Sequence, residues 1–97
     1  MILEAAMLQV KPGRTEQFER DFRAASVYIG QISGYKGHEL QRCLEDDHKY
    51  LLLVHWEKLE DHTEGFRGSA QYQEWKKMLH DYYDPFPTVE HFERVYP

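Results

Sequence analysis

Residues 2–9 open the chain with apolar side chains spaced as in an extended strand. Ile2, Ala6, Leu8 and Val10 share one face, and Leu3, Ala5 and Met7 share the other. Lys11-Pro12-Gly13 ends the strand, because Pro12 has no amide donor for a ladder and Gly13 tolerates unusual backbone angles. The period then lengthens. Phe18, Phe22, Ala25, Ile29 and Ile32 recur at steps of four, three, four and three, which is one stripe of a helix. Glu16, Glu19, Arg20 and Arg23 fall mainly on its wet side. Thr15 is the expected N-cap and Gly34 the expected stop.

Tyr35 to Leu44 predicts a second strand, Glu45-Asp46-Asp47-His48 a polar turn, and Lys49 to Trp56 a third strand, together a hairpin. Glu57 to Phe66 predicts a short helix with Leu59 and Phe66 as its apolar members, broken by Gly65 and Gly68. Ser69 then caps a helix to about Tyr82 that carries Tyr72, Trp75, Met78, Leu79 and Tyr82. After the rigid Asp84-Pro85-Phe86-Pro87 loop, Thr88 to Tyr96 predicts a last strand. The order β-α-β-β-α-β is the ferredoxin-like split βαβ, an α+β fold in one domain over residues 1–97. Right-handed crossovers put both helical segments on one face of the antiparallel sheet.

The first and third strands are apolar on both faces: Leu51 and Leu53 oppose Tyr50, Leu52, Val54 and Trp56. A sheet with one wet face alternates apolar and polar residues. This one does not, so its second face needs a cover, and a second copy of the same sheet is the simplest. A homodimer through the sheet face is therefore expected. Tyr82, Tyr83, Phe86 and Phe92 are candidate contact residues, since aromatics favour interfaces.

Composition narrows the function classes. The 97 residues hold a modest core, with roughly two thirds of the unfolded surface hidden on folding. Twelve basic against seventeen acidic residues give a net charge of −5, which argues against nucleic acid as a partner. Cys43 is the sole cysteine, so no internal disulfide framework exists. No apolar run is long enough for a membrane span, and no signal-peptide pattern opens the chain. The expectation is a soluble, cytoplasmic protein. Aromatic residues make up 14% of the chain and must line a core, an interface or a small-molecule pocket.

Several segments together resemble one known family. They are Lys11-Pro12-Gly13 before a helix carrying Phe18, Val54-His55-Trp56-Glu57 closing the third strand, the Phe66, Ser69, Tyr72 stretch, and Val89-Glu90-His91-Phe92 in the last strand. The pattern is similar to the antibiotic-biosynthesis-monooxygenase domain over nearly the whole chain. The resemblance implies a dimeric α/β barrel built from two ferredoxin-like sheets. It also implies a choice of activities, because the family holds several. One branch oxygenates polycyclic phenols without metal or flavin. Another degrades haem, and a third isomerises or degrades small signalling metabolites. The haem branch carries an asparagine, a tryptophan and a haem-ligating histidine where this chain has Ala6, Phe66 and Lys76; His80 lies one turn further along. The cofactor-free branch keeps its strand-three tryptophan as Trp56. Its tyrosine, its helical arginine and its strand asparagine fall on His62, Lys76 and Leu52.

The residues themselves leave two readings each. Trp56 packs a core or walls a pocket. His62 is a solvated histidine in Glu60-Asp61-His62-Thr63-Glu64, or a general base able to take a phenolic proton. Lys76 and Lys77 form a wet face, or Lys76 steadies a developing oxyanion. Phe66, Tyr72 and Trp75, with Leu52 and Ala6, are candidate walls of a substrate pocket. His91, on the face of Val89 and Val95, reads as a satisfied core or interface histidine. Histidine spacings match no metal motif, so neither a metal nor another cofactor is expected. The favoured expectation is a cofactor-independent monooxygenase acting on a small electron-rich aromatic or phenol. A non-catalytic small-molecule-binding or stress-associated dimer, and a haem-degrading enzyme, are the alternatives.

Overall fold

The computed structural model describes residues 1–97. Four strands form one antiparallel sheet: β1 (Ile2–Gln9), β2 (Tyr35–Arg42), β3 (Lys49–Trp56) and β4 (Val89–Glu93), in the order β2-β3-β1-β4. Helix α1 (Thr15–Ile29) and helix α2 (Ala70–Leu79) pack side by side, and their apolar stripes meet the sheet. The molecule measures 36 × 34 × 19 Å, and its thinnest dimension is one sheet plus one layer of helices. The fold is ferredoxin-like, as the order of elements predicts.

Alternation decides which face is buried. Glu4, Ala6, Leu8 and Val10 of the β1 segment are buried, as are Tyr50, Leu52, Val54 and Trp56 of β3. Phe18, Phe22, Ala25 and Ile29 close over them from α1, and Trp75 and Leu79 from α2. Each large apolar side chain among them contributes about 1.5–3 kcal/mol by leaving water. The opposite face, with Leu3, Ala5, Met7, Leu51 and Leu53, is half-buried or exposed, and no element of this chain covers it.

The structure corrects several expected boundaries. Helix α1 is capped by Arg14 rather than Thr15, which is its first helical residue. The turn after β1 already points Arg14 into the helix: its amide reaches Lys11 O, and its carbonyl accepts from Phe18 N. The helix ends at Gly30, not Gly34, so Ile32 packs from the following turn. Gly34 has another task. Its φ of 88° lies in the left-handed region, and a Cβ there would collide with the Asp61 carboxylate. Only glycine lets the turn into β2 pass this close.

Strand β2 stops at Arg42, and β4 spans only Val89–Glu93, leaving Val95 and Tyr96 exposed beyond it. The segment before α2 is a π-helical turn, Asp61–Phe66, that contains Gly65 instead of ending there, and Leu59 lies outside its packed side. Ser69 caps α2 as expected, its hydroxyl accepting from Tyr72 N at 3.0 Å. The helix itself ends at Leu79 and passes into a 3₁₀ turn, His80–Tyr82. Tyr82 is buried against Phe18, so it is a core residue and not a contact side chain. Asp84 N donates to Gln9 O at 2.8 Å, which pins the loop after the turn to the end of β1.

Candidate functional site

A cavity of about 380 Å³ lies between the buried face of the sheet, the π-helical turn and α2. The strands supply its floor: Glu4, Ala6 and Leu8 from β1, Leu52 from β3 and Val89 from β4. Register puts these together, because Ala6 pairs with Leu52 on one side and Val89 on the other. His62, Phe66 and Arg67 come from the turn, Tyr72 and Trp75 from α2, and His80, Tyr83, Phe86 and Pro87 from the segment beyond. Edge-on contacts hold the wall in place: Phe66 meets Tyr72 at 5.2 Å and Trp75 at 5.7 Å, and His80 meets Phe86 at 4.9 Å.

A row of polar groups runs through Glu4 and His62 of the lining into the structure behind it. Trp56 Nε1 donates to Glu4 Oε1 at 2.9 Å. His62 Nε2 stands 3.4 Å from the same oxygen. His62 Nδ1 shares a hydrogen bond of 2.7 Å with His91 Nε2. The His62 ring lies nearly parallel to Trp56, 18° between planes and 5.5 Å between centroids. Glu4 and His62 are the only polar residues of the chain that are buried, at 5% and 3% exposure. Every buried side-chain nitrogen and oxygen has a partner, as a buried polar chain requires.

Burial sets the protonation states. It pulls the His62 imidazole down to about 3, helped by the positive field of Arg67 and by His91. His91 and His80 are also lowered, chiefly by burial. Glu4 is raised by burial, against the opposing pull of its Trp56 hydrogen bond and of Arg67. At neutral pH the His62 ring is uncharged, so its 3.4 Å approach to Glu4 is a close contact between a neutral ring and a carboxyl group and not an ion pair. A neutral ring donates through one nitrogen and accepts through the other. Of His62 Nδ1 and His91 Nε2, one therefore donates and the other accepts. Two imidazoles and a carboxyl group thus stand in series, His91, His62 and Glu4.

The predicted site residues divide cleanly. Ala6, Leu52, His62, Phe66, Tyr72 and Trp75 all line the cavity. Trp56 does not; it lies fully buried behind His62 and steadies the ring from below. Lys76 is exposed on α2, away from the lining, and the cation at the cavity is Arg67. His62 is not solvated, because the π-helical turn swings it inward with Phe66. Three features of the site are absent from the sequence-based expectation: Glu4, Arg67 and the role of His91. Glu4 had a signal, since an acid in the middle of an apolar strand face is buried with a partner or not at all. Elsewhere, Asp46, Asp47 and His48 converge within 4.8 Å in the exposed hairpin turn, where His48 pairs with Asp46. No helix is long and apolar enough to cross a membrane.

Comparisons with known proteins agree with the fold. The uncharacterized protein YczJ of Bacillus subtilis (strain 168) is 60% identical over 95 residues, covering 98% of this chain and all of that one. A Bordetella bronchiseptica protein, crystallised under the same family description, superposes with a TM-score of 0.93 at 35% identity, over 98% of this chain and 97% of that one. SnoaB, a cofactor-independent oxygenase from Streptomyces nogalater, shares the fold at a TM-score of 0.78 and 17% identity, over 99% of this chain and 94% of that one. The family described as "Antibiotic biosynthesis monooxygenase" matches residues 1–78. This chain belongs to the antibiotic biosynthesis monooxygenase family.

Proposed function

We propose that the protein is a cofactor-independent monooxygenase acting on a small electron-rich aromatic or phenol. The observation that carries this reading is the Trp56–Glu4–His62–His91 row, whose Glu4 and His62 line an aromatic cavity. A phenol gives up an electron to oxygen far more readily once deprotonated. In this reading His62 takes the phenolic proton, and the Glu4 carboxylate 3.4 Å away, its proton affinity raised by burial, stands ready to receive it from the ring. In the overall reaction one oxygen atom enters a ring carbon as a carbonyl. The other leaves as water with the one hydrogen of that carbon and the phenolic hydrogen, and the ring becomes a quinone. Membership in the family and the shared fold of SnoaB support the assignment.

The apolar outer face of the sheet supports a homodimer, with Leu3, Ala5, Met7, Leu51 and Leu53 covered by a second copy. The lone free Cys43 suits a reducing compartment such as the cytoplasm. One observation favours haem as an alternative ligand: His80 lines the cavity as a half-buried neutral imidazole.

The deciding experiment is oxygen consumption by purified, metal-free protein with a panel of hydroquinones and anthrone-like phenols. Uptake that falls in His62→Ala and Glu4→Gln supports the oxygenase. Unchanged uptake in both variants defeats it. Ligand binding without uptake across the panel assigns a binding dimer instead, and a Soret band lost in His80→Ala assigns haem.

A further inference from the structure

Arg67 follows the π-helical turn and lines the cavity beside His62. It is exposed, and no carboxylate of the chain stands within ion-pairing distance of it. Its field nonetheless reaches Glu4, His62 and His91, so the guanidinium faces the polar floor and not open solvent alone. Glu4 does not neutralise it by contact. That carboxylate is buried, and its Oε1 accepts from Trp56 and faces His62 at 3.4 Å. The remaining titratable groups at the cavity, His62 and His80, are neutral, and Tyr72 and Tyr83 are phenols. An aromatic-lined cavity therefore carries one cation with no partner of its own.

We infer that the cavity takes an aromatic acid, its ring set among Phe66, Tyr72 and Trp75 and its carboxylate docked on Arg67. A planar guanidinium matches a carboxylate through two parallel hydrogen bonds, and flat rings pack edge-on and offset against aromatic walls. Electrostatics couples this docking to the chemistry. An anion on Arg67 cancels the field that opposes protonation of His62 and His91, so the bound substrate strengthens the base that acts on it. The inference names the substrate class for the oxygenase reading and rests on it only in taking this cavity as the substrate site.

The test is calorimetric titration with 1-hydroxy-2-naphthoate and with its neutral carboxamide, which has the same ring and shape. Wild-type protein binds the acid about ten-fold or more tightly than the amide, in line with a charge-assisted pair. In Arg67→Gln that preference disappears while amide affinity holds, and Arg67→Lys keeps part of it. Equal affinities in the wild type overturn the inference, as does a preference that survives Arg67→Gln or is lost in Lys76→Gln instead. Failure of both compounds to bind also overturns it. Oxygen uptake separates this from the oxygenase reading. Uptake without acid preference leaves the oxygenase standing and removes the inference, and acid preference without uptake does the reverse.

Discussion

Two histidine clusters lie between the helices and the sheet, one against each helix, and they are built from different partners. Against α1, His38 Nε2 meets Ser26 Oγ at 3.0 Å, Nδ1 meets the Tyr35 hydroxyl, and the ring tilts against Phe22. Against α2, His62 stands between a carboxylate and a second imidazole. Burial lowers both rings, and both are neutral at pH 7. Each also borders a cavity of similar size, about 420 Å³ for His38 and about 380 Å³ for His62. The difference lies in where a proton can go. Hydroxyls orient a ring but do not take up a further proton, whereas a carboxylate can, and burial raises the affinity of Glu4 for one. Near His38 the available acid, Glu19, is already engaged by the Tyr50 hydroxyl at 2.6 Å and by Arg42 at 3.4 Å. The α1 cluster is therefore a knot that ties a helix to an edge strand, and the α2 cluster is the one to which proton transfer is assigned in the proposed function.

Exchange of the two histidines breaks or confirms that contrast most directly. His62→Ala lowers oxygen uptake about 10²–10⁴-fold, the usual share of a proton-transfer group, while His38→Ala leaves it at the wild-type rate. Comparable losses in both variants would erase the distinction.

The next effect is on stability against pH. The His62 value in the fold, about 3, lies below the ordinary 6.5. Its contribution is therefore complete above about pH 6.5 and lost as pH falls toward about 3. Glu4 runs the other way, its raised value giving a contribution present at low pH and lost as pH rises through it. A tenfold change in proton affinity between the folded and unfolded chain corresponds to about 1.4 kcal/mol, so the acid loss amounts to several kcal/mol at most. Urea melts at pH 7 and pH 4 should show a larger loss in wild type than in His62→Phe. Equal losses would move the titration elsewhere.

Smaller effects sharpen the same comparison. Trp56→Phe keeps a ring but removes the indole donor to buried Glu4, at a cost of about 1–3 kcal/mol by chemical denaturation. Tyr35→Phe removes the matching donor at His38, which is half-buried and keeps Ser26, for about 0.5–1.5 kcal/mol. A larger cost for Tyr35→Phe than for Trp56→Phe would reverse the ranking of the two clusters.

Much of this fold was legible from spacing alone. Strands β1 and β3 run over the predicted residues, and the four buried positions of α1 are four of the five in its predicted stripe. These segments have long, regular periods, and burial follows the period. Helix ends were less legible. Thr15 and Gly34 each have the right chemistry for a cap, but the turns beside them place the chain one and four residues away from those roles. The cavity walls could be named because aromatic residues at helical spacing must pack against something. The polar floor was half-hidden. Local composition around His62 reads as wet, and only the π-helical turn, which no spacing rule announces, turns it inward. Glu4 and His91 come together across strands through register, Glu4 opposite His91, which pairs residues 87 positions apart. Arg67 is one cation among twelve basic residues until the fold sets it at the cavity.

The stacking of His62 on Trp56 has an optical consequence. The chain holds two tryptophans, one beneath His62 and the other, Trp75, in the cavity wall. Both indoles therefore sit at the site, and no third one elsewhere dilutes their emission. A protonated imidazole quenches a neighbouring indole by accepting an electron from its excited state, and a neutral one does so far less. The protein carries a built-in fluorophore whose brightness follows the charge on the ring beside it, so the state of the site can be read in the light emitted by the unlabelled chain.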